Sequence, residues 1–250
     1  MFDKRKKREQ KLLREQERGT TLITYTAPQS ISAEQFRAIR TNVEFAQVDS
    51  NLSSILVSSC IPAEGKSTVS SNLAIVMAQT EKRVLIVDAD MRKPTLHKTF
   101  HTDNTVGLST LISNQDMKFN QIVQFNKEIG LYILPCGPIP PNPSELLGSA
   151  RMAAIMQEMS QYFDLIIYDA PPVTAVADPQ ILAAKVDGVL IVSRYGYVKK
   201  EEVRQAKEIL ENVNAKILGY VMNGVPHEEN SGYYAYYGYG HGAQKESKKK

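Results

Sequence analysis

The chain has 250 residues, 42% apolar and 23% charged, with a formal net charge of +3. These values are ordinary for a globular protein and suit one sizeable α/β domain with tails, and so weak a charge argues against nucleic acid as a partner. No apolar run approaches the ~20 residues of a membrane span and the start is too charged for a secretory signal, so a cytoplasmic protein is expected, with any membrane association supplied by a partner or by basic ends.

Residues 1–19 form a basic segment. Eight Lys and Arg residues stand there against Asp3, Glu9, Glu15 and Glu17, and the last six residues, KESKKK, are basic too. Such ends are expected to be solvated, or to rest on an anionic membrane at ~1 kcal/mol per cation near the surface. A domain is expected over 20–226 and a flexible tail over 227–250. The first helix with a clear apolar face is SISAEQFRAIRTNVEF: Ser32 and Gln35 read as a capping box, and Phe36, Ile39, Val43 and Ala46 share a face. SILVSS (54–59) is a short apolar strand that breaks into CIPAEGKST, followed by a buried helix over 69–79 and a second apolar strand over 83–88. The pattern repeats: strand 131–135, one helix capped by Ser144 and running to about Tyr162, strand 164–169, helix 178–185, strand 188–193, helix 199–212 and strand 216–223. Alternation of this kind predicts an α/β fold with a mostly parallel central sheet and helices on both faces.

Gly65-Lys66-Ser67-Thr68 lies between a strand and a helix, the context of a phosphate-binding loop. Backbone N–H groups of Ala63 through Thr68, Glu64 included, would face phosphates at the helix start, with Lys66 on the β and γ phosphates and the Ser67 hydroxyl on Mg²⁺. Cys60 departs from the motif by standing at its first glycine position. VLIVDAD ends a strand in Asp88 and Asp90, and DLIIYD ends another in Asp169. Ligands of open parallel sheets bind beyond the carboxyl ends of the strands, so the three acids face the loop, and three carboxylates around a triphosphate imply Mg²⁺. Ser67, Asp90 and Asp169 are the expected metal ligands. Asp88 is the candidate to accept or orient a proton, although its role and that of Asp90 are interchangeable at this level. Cys60 and Cys136 are expected to be reduced thiols, and His97, His101, His227 and His241 make no metal pattern.

These residues resemble the bacterial tyrosine kinases, or BY-kinases, in the capsular polysaccharide type whose kinase is a separate cytoplasmic subunit. AEGKST resembles the family's Walker A motif; Asp88, Asp90 and Arg92 its DxDxR motif; LIIYD its Walker B motif; Glu34, Arg37 and Arg40 its ExxRxxR oligomerisation motif. GPIPPNPSELL (137–147) and the tyrosine-rich end complete the likeness, which spans roughly residues 20–245. The resemblance implies a P-loop NTPase fold, ATP and Mg²⁺ as cofactors, and a ring-like homo-oligomer joined through the Glu34, Arg37 and Arg40 ridge. It also implies a transmembrane adaptor that activates the kinase at the inner face of the membrane, protein tyrosine substrates, a counteracting phosphatase, and control of capsule or exopolysaccharide synthesis and export. Composition by itself reads the ridge as a solvated face with an internal ion pair. A positioning ATPase of the MinD/ParA class is the alternative; it often carries a signature lysine where Ile61 stands here. Asn223, at the end of the last strand, suits either adenine recognition or a plain turn before Gly224.

The tail then acquires a role. Tyr233, Tyr234, Tyr236, Tyr237 and Tyr239 lie within seven residues, flanked by glycine and alanine. From Asn223 to Tyr239, extended chain reaches roughly 50 Å, enough to enter a neighbouring subunit's site. The five phenols are therefore expected to be phosphoacceptors in trans.

Overall fold

A computed structural model describes residues 19–46 and 52–226. The basic segment before residue 19 and the tyrosine cluster, 233–239, lie outside the described residues. The chain opens with α1 (Ile23–Thr26) and α2 (Ile31–Phe45), then alternates: β1 (Ser54–Ser59), α3 (Lys66–Ala78), β2 (Val84–Asp88), α4 (Leu96–Phe100), α5 (Leu108–Ser113), β3 (Gln124–Asn126), β4 (Leu131–Leu134), α6 (Pro143–Gly148), α7 (Ala150–Ser160), β5 (Leu165–Asp169), α8 (Asp178–Ala183), β6 (Gly188–Arg194), α9 (Lys200–Glu211) and β7 (Ile217–Asn223).

The seven strands run in the order β3-β4-β2-β5-β1-β6-β7, all neighbours parallel except the β3–β4 pair. Alternate residues of the central strands feed two cores. Leu56, Leu85, Ile166, Tyr168 and Ile191 pack on one face, while Ile55, Val57, Ile86, Ile167 and Val192 pack on the other with Leu73 and Val76 of α3. Burial on both faces explains why these strands read as unbroken apolar runs. The antiparallel edge strand β3, QFN, was not foreseen; it has three residues, none of them buried, and gives no alternation signal.

Two helix boundaries differ from the sequence reading. Ser30, not Ser32, caps α2: its Oγ accepts from the Ala33 N–H at 3.2 Å, so Ser32 sits inside the first turn. Phe36, Ile39 and Val43 do form the inward face. The single helix expected from Ser144 is two helices. Asn142 precedes Pro143 at the start of α6, the helix ends at Gly148, and Ser149 turns extended (ψ 155°) and caps α7 by accepting from the Met152 N–H. A residue with an extended backbone cannot continue an α-helix.

The amino-terminal segment is clipped to the loop helix. Asn72 Oδ1 of α3 accepts from both the N–H and the hydroxyl of buried Thr24, and its Nδ2 donates to the carbonyls of Thr21 and Thr68. All four bonds are 2.8–3.0 Å long. The segment thereby borders the first turn of α3, where the candidate site lies.

Candidate active site

β1 carries the chain to the carboxyl edge of the sheet, and residues 60–65 fold over its end before α3 begins. Two left-handed residues make the fold-over. Ala63 has φ 66° and Gly65 has φ 91°; for alanine that conformation costs ~1–2 kcal/mol. At Gly65 no side chain has room, because a Cβ there would lie 2.2 Å from Asn223 Nδ2. Asn223 donates to the Glu64 carbonyl at 2.8 Å, locking the end of β7 against the loop. Glu64 is fully buried and points inward. Its Oε2 accepts from the Ile61 N–H and its Oε1 from the Arg194 N–H. Burial raises its pKa, and those N–H groups pull in the opposite direction. Glu64 thus shapes the loop with its side chain and can offer a phosphate nothing but its backbone. The loop's departure at Cys60 has a local reason: the thiol is buried beside Ser193 Oγ at 3.8 Å, and burial pushes its pKa up to about 11, so it serves as a packed, inert group.

The acids arrive on β2 and β5, which are hydrogen-bonded neighbours with Asp88 opposite Asp169. Lys66, from the first turn of α3, enters between them. Its Nζ lies 2.8 Å from Asp90 Oδ2 and 3.5 Å from Asp169 Oδ2. The Ser67 hydroxyl donates to Asp169 Oδ2 at 2.6 Å, and that of Ser70 to Asp169 Oδ1 at 3.1 Å. Burial by itself would lower the Lys66 pKa; the charges of Asp169 and Asp90 outweigh it and raise the value, so the ammonium persists at any working pH.

The two acids of DAD are not equivalent. Asp90 Oδ1 accepts from the N–H groups of Arg92 and Lys93, and its Oδ2 meets Lys66. Asp88 is fully buried; its Oδ2 accepts from the N–H groups of Thr95 and Leu96 at 3.0 Å each, while its Oδ1 is buried with no partner. Burial, then the charge of Asp169, pushes the Asp88 pKa well above the carboxylate range, and burial raises that of Asp169 against the pull of Lys66.

Sequence spacing did not reveal what holds Arg92. Its Nε and Nη2 donate to the two oxygens of Asp178, 86 residues along the chain, at 2.8 and 3.0 Å, and Nη2 also reaches Ser144 Oγ. Ser144 in turn donates to Asp178. Burial would raise the Asp178 pKa, yet the Arg92 and Ser144 bonds hold it below the usual value. The loop after β2 is thereby tied to α6 and α8.

The loop, Lys66, Ser67, the three acids and Asn223 thus converge at one sheet edge, while Glu34, Arg37 and Arg40 lie apart on α2. Among the described residues no three His, Cys, Asp or Glu side chains form a metal cage. Mg²⁺ does not need one: it takes one or two carboxylates and completes its shell with hydroxyl, phosphate and water oxygens, and Ser67, Asp90 and Asp169 present such a set. The orphaned Oδ1 of Asp88 and the cation drawn among the carboxylates both fit a site built for positive charge.

Residues 51–250 match the ParA family model, described as NUBPL iron-transfer P-loop NTPase. Tyrosine-protein kinase YwqD of Bacillus subtilis (strain 168) is 46% identical over 217 residues, covering 87% of this chain and 91% of its own. The chimerical protein CapA2B2 superposes with a TM-score of 0.79 at 38% identity, over 84% of this chain and 94% of that one. The chain belongs to the bacterial tyrosine kinases. It is a protein-tyrosine kinase on a P-loop NTPase fold, and what it shares with the ParA class is that fold. Tyrosine-protein kinase Etk of Escherichia coli (strain K12) is a longer relative. It is 34% identical over 237 residues, 93% of this kinase but 32% of Etk. Among the described residues of this kinase no helix is long and apolar enough to cross a membrane.

Proposed function

We propose that this kinase transfers the γ-phosphoryl group of ATP to Tyr233, Tyr234, Tyr236, Tyr237 and Tyr239 of a neighbouring subunit's tail, and so regulates capsular or exopolysaccharide synthesis and export. The observation that carries the reading is Lys66, held between Asp90 and Asp169 at the start of α3, where a γ-phosphate would meet both the ammonium and the helix N-terminus. Mg²⁺, when bound, offsets phosphate charge and favours ionised carboxylates beside it. Ser67, Asp90 and Asp169 would hold it. Lys66 and the loop N–H groups orient the phosphoryl group for in-line attack. Asn223 stands at the loop's flank where an adenine would rest. Asp88 accepts the phenolic proton, since among the strand-end acids it has an oxygen with no donor, and burial raises its pKa.

The membrane adaptor, the phosphatase and recruitment to the inner face of the membrane remain part of this reading. Support for them comes from the family likeness and from the additional length of relatives such as Etk. The test is to incubate the purified chain with ATP and Mg²⁺ and to map phosphotyrosine by mass spectrometry. Phosphate is expected on the tail tyrosines and none on a Lys66→Met control. ATP hydrolysis with an unmodified tail would place the kinase's acceptor tyrosines outside its own tail.

Assembly into a ring has its own test. Arg37 pairs with Glu34 and donates to the Pro28 carbonyl at 2.7 Å, whereas Arg40 donates to the Val76 carbonyl of its own α3. Arg40 thus serves its own subunit as well. Glu34→Ala with Arg37→Ala is therefore expected to reduce the oligomer to monomers in light scattering while leaving the fold intact. An unchanged mass would make the ridge a solvated face.

A further inference from the structure

A second concavity lies on the β7 edge, on the sheet face opposite α3. It is a groove of about 490 Å³ between β7 and the first turns of α9. Val203, Tyr220 and Met222 floor it; Lys199, Lys200 and Arg204 rim it; no carboxylate lines it. Among the described residues β7 is an edge strand of the sheet, and Tyr220 and Met222 are 45% and 56% exposed. The three cations are exposed, and none has an ion-pair partner among the described residues. The neighbouring carboxylate of Glu202 is taken up by the Lys199 N–H at 2.7 Å. An apolar floor under three cations without ion-pair partners among the described residues fits a ligand that is aromatic and anionic at once.

The chain supplies such a ligand beside the groove. β7 ends one residue past Met222, Gly224 (φ 68°) permits a turn, and residues 227–250 follow, with Glu228, Glu229 and the five tyrosines. From Met222 to Tyr233 the chain reaches up to roughly 36 Å, so a tyrosine can fold back onto the groove at its own root. We propose that this groove is the cis docking site of the tail once its tyrosines carry phosphate. Each phosphate adds about −1.5 to −2 charges and strong acceptor oxygens, which Lys199, Lys200 and Arg204 would bind while the ring lies on Tyr220 and Met222. An unmodified tail lacks the charge and stays free to act as substrate. The proposal rests on the tail being the acceptor and gives that reaction an end state: modified tyrosines are held by their own subunit and withdrawn from the neighbour's site.

The test is a fluorescent synthetic peptide of residues 231–242, with and without phosphate on Tyr234 and Tyr236, titrated by anisotropy into the phosphatase-treated full chain. The phosphopeptide is expected to bind at least about tenfold more tightly than the plain peptide. Lys200→Glu with Arg204→Glu, both on an exposed helix face, should weaken it at least about tenfold. Lys118→Glu, on the opposite side of the molecule, should leave it unchanged, and salt should weaken it. Equal affinity of the two peptides, indifference to the double charge reversal, an equal loss with Lys118→Glu, or displacement by ATP–Mg²⁺ would each overturn the proposal. Because synthesis supplies the phosphates, this titration judges the groove alone. A missing tail phosphate in the mass spectra would sink the acceptor reading without altering it.

Discussion

Asp88→Asn is expected to make the kinase more stable above neutral pH and at the same time inactive. The wild-type carboxyl is fully buried, takes two backbone N–H bonds on Oδ2 and leaves Oδ1 without a partner. Its pKa is raised by burial and by Asp169. An acid raised in the fold binds more protons folded than unfolded. Stability therefore falls as pH climbs from the unfolded value, about 3.9, up through the folded one, and the loss is complete above both. Asparagine keeps the acceptor for Thr95 and Leu96 and never ionises, so it escapes that loss. The gain in melting temperature should be largest at about pH 8 and should vanish near pH 4. For a chain of this size each kcal/mol amounts to about 2–4 °C. Tail phosphorylation should fall by about 10²–10⁴, the usual worth of a general base. Scanning fluorimetry over this range, beside initial rates, decides the matter. A pH-independent change in melting temperature would mean that Asp88 is ionised in the fold, and retained activity would move the proton to Asp90.

How much of this was legible in the sequence depended on the range of the interaction. The parallel strands were legible because burial on both faces leaves runs such as VLIVD and LIIYD with no polar interruption. The phosphate loop and the strand-end acids were legible because topology alone delivers them to one edge. Ser30 is missed because Ser32 offers an equally good local pattern; the structure places a turn over Ala27–Ser30 directly before the helix. Ser144 reads as a cap in sequence, yet its hydroxyl serves Asp178; Asp178 does start its helix, as expected, but its clamp on Arg92 left no sign in the sequence. Nothing local signals a contact between residues 86 positions apart. An acid at a helix start is ordinary, and its full burial appears only when α6, α8 and the loop after β2 are assembled. The inward turn of Glu64 was equally hidden, since its partners Ile61 and Arg194 offer backbone N–H groups that any residue could supply.

Lys66→Met should abolish phosphoryl transfer and leave the fold standing. Methionine fills much the same space, and each acid around Lys66 keeps other donors: Asp90 the N–H groups of Arg92 and Lys93, Asp169 the hydroxyls of Ser67 and Ser70. Among the described residues, Lys66 is the one side-chain cation in contact with Asp90 and Asp169. Without it a transferring phosphoryl group would face Asp88, Asp90 and Asp169 with loop N–H groups and metal alone. Loss of one preorganised charge of this kind costs about 10²–10³ in rate, or ~3–4 kcal/mol. Lys66→Arg should fare little better, because a planar fork cannot place its charge where a compact ammonium fits among Ser67, Asp90 and Asp169. The wild-type ammonium's pKa is raised, so Lys66 adds no limb to the pH–rate profile in the working range. A limb near neutrality that disappears in the Asp88 variant belongs to Asp88. Initial rates of phosphate incorporation at saturating ATP separate the two roles open to Lys66. A variant within a factor of about ten of wild type would make it a counter-ion for the acids, and the deep loss expected here makes it part of the chemistry.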